Sequence, residues 1–259
     1  MKKNLLGLCA LCLCLAAFAG EGMKHGEGRY ESKTMDNLPV FHAVEVLGNA
    51  DVEIVQRNTP KVIVSGRSNI TALAQVQVQD GVLLIEYASP IHAKGKHKLH
   101  VMVGAPHLNA ITATQGSNVK VLGDLRGENL LLTARDKSEI DIHRLEVNKL
   151  TIHASNHAEI DVEKMQTNQL EVKAFQKADV ELSGHTEKAW LENNGSGDID
   201  AGDLYAREVN AMTFSSGDIQ TNVQTHLHAV ANGRGKIEYK GRPIKLVREG
   251  HVKNIKEMD

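Results

Sequence analysis

The chain has 259 residues, 30 basic against 32 acidic, and is 41% hydrophobic but only 3% aromatic. A formal charge of −2 with no basic block argues against a nucleic-acid or anionic-membrane partner. Its apolar residues are mainly Val, Ile, Leu and Ala, which fill a narrow core of stacked aliphatic side chains more readily than a globular core with aromatic centres.

Lys2 and Lys3 precede the apolar run LLGLCALCLCLAAF, and Ala17-Phe18-Ala19 forms a small-x-small cleavage site before Gly20. This predicts a secretory signal peptide over 1–19 and a periplasmic or secreted protein. The run is too short to span a membrane, and no later stretch reaches about 18 apolar residues, so no transmembrane segment is expected after cleavage. Cys9, Cys12 and Cys14 all lie in this peptide and each follows a leucine, which speaks against lipid attachment. The mature chain then enters an oxidising compartment without cysteine. Taking two lysines from the 30 basic residues leaves a formal charge of −4.

Residues 20–37 carry three glycines in EGMKHGEGRYESKTMD, many charges and no periodicity, and are expected to be a flexible leader. Order is expected from Leu38. The segments FHAVEVLG, ADVEIVQ, KVIVSG, AQVQVQ, GVLLIEYA and KLHVMVGA alternate apolar with polar residues, as strands with one buried face do. Gly48-Asn49, Asn58-Thr59-Pro60 and Asp80-Gly81 punctuate them.

Three consecutive blocks then read NLLLTARDKSEIDIHRLEVN (129–148), KLTIHASNHAEIDVEKMQTN (149–168) and QLEVKAFQKADVELSGHTEK (169–188). Superposed, they align Leu130, Leu150 and Leu170; Leu132, Ile152 and Val172; Ala134, Ala154 and Ala174; Ile140, Ile160 and Val180. The block before them, NAITATQGSNVKVLGDLRGE, fits with one extra residue. No such block can bury its apolar face alone. Stacking them about 4.8 Å apart closes a continuous core and pairs every strand edge. The expected fold is therefore all-β, a right-handed parallel β-helix (β-solenoid) of about 20-residue coils. About ten coils would fit the chain after Phe41. The N-terminal strands fit the period poorly, and antiparallel pairing as a cap is the alternative for them.

Near the C-terminus the clusters GSGDID, SSGDIQ and GRGKIE repeat one turn at Gly197, Gly217 and Gly235. Gly195, Gly197, Gly217, Gly233 and Gly235 are expected where a coil needs φ > 0 or a tight corner. Asp198 and Asp218 are placed to accept backbone N–H groups there.

The same residues resemble a bacterial family, the "putative auto-transporter adhesin, head GIN domain". Its gly-ser-gly-asp-(val/ile) turn matches Gly195 to Ile199, and its closing gly-x-gly-x-(val/ile)-x-tyr-x-gly-x-pro matches Gly233 to Pro243. Its opening resembles FHAVEVLGNADVEIVQRN at 41–58. The resemblance spans about 38–243, leaving 244–259 as a tail or cap, and implies an exported β-helix protein of the cell envelope. Ser215 stands where the turn's first glycine would be and Lys236 where its aspartate would be, which argues against a uniform ligand-binding row.

For chemistry, the aligned blocks place Glu139, Glu159 and Asp179 in one outward column and Asp141, Asp161 and Glu181 in another. Such an acidic strip is either screened by solvent and lysines such as Lys137 and Lys177, or binds a divalent cation such as Ca²⁺. His226 and His228 are spaced to share a strand face but have no evident third metal ligand. His153 and His157 fall in columns shared with lysines, while His97 and His100 lie beside Lys94, Lys96 and Lys98. No nucleophile elbow, HExxH, P-loop or dinucleotide fingerprint occurs. No catalytic residue and no cofactor is therefore assigned. The expected function is an adhesin-like, non-catalytic envelope or surface protein binding a glycan, an envelope protein or a second copy of itself. The alternative is a polysaccharide lyase or hydrolase that uses the acidic strip with His143 and Arg144.

Overall fold

A computed structural model describes residues 26–35, 37–88 and 98–258. The signal peptide expected over 1–19, its three cysteines and His97 lie outside the described residues. The strands are β1 (Tyr30–Met35), β2 (Ala43–Leu47), β3 (Ala50–Gln56), β4 (Lys61–Arg67), β5 (Ala74–Gln79), β6 (Val82–Tyr87), β7 (Leu99–Ala105) and β8 (Ala110–Thr114). They continue as β9 (Asn118–Arg135), β10 (Glu139–Ser155), β11 (Glu159–Gln176), β12 (Asp179–Gly195), β13 (Ile199–Thr213), β14 (Ile219–Ala231), β15 (Ile237–Lys240), β16 (Lys245–Gly250) and β17 (Ile255–Glu257). One helical turn, α1 (Ser68–Thr71), follows β4.

From β8 onward the chain is the expected parallel solenoid, with about 20 residues per coil. β9 to β14 pair in parallel, each with the next, and the registers are those of the aligned blocks: Leu130, Leu150 and Leu170 are partners, as are Ile140, Ile160 and Val180. Ile140, Ile142, Leu145, Leu150 and Ile152 are fully buried, and their equivalents continue the columns into one core. Each such side chain contributes about 1.5–3 kcal/mol on burial. The extra residue before the first aligned block is a bulge, where Val121 faces Ile142 but Asp124 faces Arg144.

The solenoid has about seven turns rather than ten. The difference lies at the N-terminus, where residues are spent on antiparallel pairing. β4 lies antiparallel to β7, β1 to β4, and β5 to β6, so a cap does form. β2 and β3, however, belong to the parallel stack. β2 sits between β6 and β8, and β3 between β7 and β9, all parallel. The second coil in sequence (β6–β7) is therefore the last parallel coil at this end, directly beneath the antiparallel β4 and β5, and the chain passes back over the first coil to begin β8.

At the ends, one expectation is corrected and one alternative is decided. Residues 30–35, placed by sequence in a flexible leader, form β1, because β4 offers an open edge along Val62 to Arg67. Residues 245–257 are a further coil, with β16 on β14 and β17 on β15, so of the two roles expected for 244–259, tail or cap, the cap is the one formed, and it covers much of the last repeat's edge.

Candidate functional site

The side of the solenoid formed by residues 139–142 and their equivalents carries the acidic strip. Glu139, Glu159 and Asp179 are register partners, as are Asp141, Asp161 and Glu181, so the six expected carboxylates do come together. Asp200 extends the second row beyond Glu181. Lys120 precedes it and closes a 2.6 Å ion pair with Asp141. Burial, with Glu181, Glu163, Asp141 and Glu159 nearby, pushes the Asp161 carboxyl up to about 6. Burial, then Glu139 and Asp179, also raises Glu159. The rows thus hold like charges against their repulsion.

Among the described residues no three His, Cys, Asp or Glu side chains are arranged to hold a metal ion. His143 Nδ1 lies 2.6 Å from Glu163 and its Nε2 lies 2.9 Å from Lys164 Nζ, while Arg144 Nε lies 3.5 Å from Asp124. These partners, Glu163, Lys164 and Asp124, lie outside the two acidic columns. The turns flanking the strip, 136–138, 156–158 and 177–178, are too short to fold over it.

The repeated glycine turns are structural, and of the two reasons expected for them the tight corner is the one realised. Gly217 does not have positive φ. A Cβ there would lie 1.9 Å from the Gly197 carbonyl oxygen one coil below, and one on Gly235 would lie 2.1 Å from that of Gly217. Gly195, Gly197 and Gly233 face the same backbone crowding. The left-handed corners fall instead on Asp136-Lys137 and Asn156-His157. Beside the glycines runs an aspartate ladder. Asp179 Oδ1 accepts from Asp198 N at 2.9 Å, Asp198 Oδ1 from Asp218 N at 2.8 Å, and Asp218 Oδ1 from Lys236 N at 2.7 Å. Lys236 is the ladder's last rung, which needs only to donate. Inside, Asn193 Nδ2 donates to the Gly197 and Asp218 carbonyls, and Thr213 to that of Gly217.

The histidine pair does not converge. His226 contacts Thr225, whereas His228 Nε2 lies 3.1 Å from Glu249. His153 is half-buried between Thr133 and Lys173 in its column.

A second side was not singled out from sequence. Arg126, Glu146, Gln166, His185 and Tyr205 form one outward column over five coils. His185 and Tyr205 stack, with ring centroids 5.3 Å apart and planes 21° from parallel, and Tyr205 is 49% exposed. Two residues along, Asn168 Nδ2 donates to Asn148 Oδ1 at 2.8 Å, and Arg207 Nε pairs with Glu187 at 2.7 Å. A shallow groove of ≈ 320 Å³ follows the first three coils, lined by Arg126, Glu146, Asn148, Gln166 and Asn168 among others. The bulge at Gly184, which faces Met165, shortens this coil by one residue, and so the 20-residue alignment loses the column at His185. Realigning on Thr167 and Thr186 would have recovered it.

The chain belongs to the family described as "Putative auto-transporter adhesin, head GIN domain", whose model matches residues 40–243. Several solved structures share its fold. A "putative adhesin" from Parabacteroides merdae ATCC 43184 is 23% identical, with a TM-score of 0.80 over 92% of this chain and 99% of that one. A "Putative lipid binding protein" from Parabacteroides distasonis ATCC 8503 is 19% identical, with a TM-score of 0.83 over 92% and 100%. A "putative adhesin" from Bacteroides fragilis NCTC 9343 is 23% identical, with a TM-score of 0.67 over 91% and 100%. At these identities the likeness is one of fold. No curated protein matches the chain in sequence. No helix among the described residues is long and apolar enough to cross a membrane.

Proposed function

We propose that this member of the head GIN family is an exported, non-catalytic, adhesin-like protein of the cell envelope or surface. It acts by presenting the sides of its solenoid to a glycan or to another envelope protein. The observation that carries this reading is the unbroken repetition of outward columns from β9 to β13, joined by turns of three residues or fewer. Such sides are long and flat. They suit an extended or multivalent partner, whereas a small-molecule enzyme concentrates its groups in a concavity that excludes water. Family membership supports the adhesive role, and the predicted signal peptide supports export.

The test is made in the host cell with the full tagged chain. The expected results are a mature mass lacking 19 residues, cleavage by protease added to intact cells, and reduced adherence when the gene is deleted. Retention of the chain in the cytoplasm, or unchanged adherence after deletion, would overturn the proposal.

A further inference from the structure

We infer that the column from Arg126 to Tyr205 is a binding strip for a straight, neutral pyranose oligosaccharide lying along the solenoid axis. This rests on the adhesive reading above and names the ligand class for one side of the molecule.

Three observations converge. The first is the aromatic platform. His185 and Tyr205 are fixed against each other by stacking, yet both stay exposed, and an exposed ring pair costs solvation without adding to the core. Stacking covers one face of each ring, and the ring surface left exposed can take the apolar C–H face of a pyranose, while a preformed stack gives up little side-chain entropy on binding. The second is the polar groove leading up to the platform along the same column, since Gln166 is the register partner of His185. The Asn148–Asn168 pair uses one donor and one acceptor, and each amide carries two donors and an acceptor with two lone pairs. Amides therefore line the groove with both donors and acceptors, as sugar hydroxyls require.

The third is charge. Arg126 pairs with Glu146 at 3.2 Å and Arg207 with Glu187 at 2.7 Å, so the strip's cations are already matched within it. A polyanion such as a uronate chain would have to break those pairs. The acidic side, where Asp161 and its neighbours repel one another, disfavours polyanions more strongly still. The outward side chains recur at the coil spacing of about 4.8 Å, comparable to the length of one pyranose unit. A straight β-1,4-linked ribbon keeps in step with that repeat, and a helically coiled α-linked chain does not.

The experiment is titration calorimetry of the purified full-length exported chain with cellohexaose, chitohexaose, maltohexaose, hexagalacturonate and an extended neutral hexapeptide. Binding of a β-1,4 hexasaccharide is expected. Tyr205→Ala should weaken it by about tenfold or more, as truncating a central aromatic anchor does. Tyr205→Phe should preserve it. Trp190→Ala, an exposed aromatic in a different column beside Glu171, should leave it unchanged. Because Tyr205 is half-exposed, Tyr205→Ala is expected to keep the wild-type melting temperature, which is checked alongside. Absence of binding to both β-1,4 hexasaccharides, binding indifferent to Tyr205→Ala, or preference for the uronate or the peptide would overturn the inference. Adherence that persists in Tyr205→Ala cells without any oligosaccharide binding would remove the saccharide and leave the adhesive role standing.

Discussion

The Asp198 carboxylate accepts a 2.8 Å hydrogen bond from the backbone N–H of Asp218, its counterpart one coil on. The repeated Gly-Asp turn thus serves as a clamp between coils, each aspartate holding the corner of the next. Asp198→Ala frees that N–H at an exposed corner and should cost about 1 kcal/mol in denaturant unfolding. Asp198→Asn keeps an acceptor oxygen and should cost less. Equal losses for the two variants would mean the ladder acts through charge alone.

The neighbouring glycines predict a larger effect. Gly217→Ala places a methyl group 1.9 Å from the Gly197 carbonyl, so two coils must separate. A loss of about 2–4 kcal/mol is expected, in the range of severe overpacking. Gly123→Ala meets no atom within 4 Å and suffers only its φ of +81°. That variant should lose about 1 kcal/mol. Reversal of this order, measured by urea unfolding, would refute the packing account of the turns.

This distinction shows where the sequence could be read and where it could not. The columns at Leu130, Leu150 and Leu170 were legible because identical spacing in three blocks leaves one register that buries every aliphatic residue. The aspartates of the turns were legible because the Ser-Gly-Asp-Ile corner is written twice, ending at Ile199 and Ile219. The order of the N-terminal coils was not, because β2, β3, β6 and β7 alternate in the same way whether their partners are parallel or antiparallel. Nor was the strand at 30–35, whose polar residues gain order only from the edge of β4. The platform at His185 and Tyr205 escaped because a single-residue bulge at Gly184 breaks the count.

The acidic strip makes stability depend on pH in a defined direction. Asp161 titrates near 6 in the fold against its ordinary 3.8, so the folded state holds a proton that the unfolded chain releases. Its contribution is greatest below the lower value and is lost as pH rises through the higher one. Glu159 shifts in the same direction. Glu171, held down by its bond to Lys173, works oppositely, but only as pH falls through its own low range. Lowering the pH from 7 to about 5 should therefore raise Tm. Asp161→Asn should be more stable than wild type at pH 7 and show a flatter profile. A wild-type Tm that falls over this interval would contradict the reading.

One buried hydroxyl offers a stabilising change. Thr221 is 1% exposed, and its Oγ1 has no hydrogen-bond partner among the described residues. Thr221→Val replaces that hydroxyl with a methyl group of similar shape and should add about 1 kcal/mol. Destabilisation on thermal unfolding would show that the hydroxyl is satisfied after all.

If the sides of the solenoid bind and do not catalyse, as proposed, one paired measurement shows it most directly. The purified full-length exported chain is placed on surfaces coated with neutral glycans, acidic glycans or envelope proteins, and retention and release of new reducing ends or unsaturated products are recorded together. The account predicts retention without product, unchanged by Asp161→Asn. Product release that Asp161→Asn abolishes would contradict it and make the acidic strip an active site.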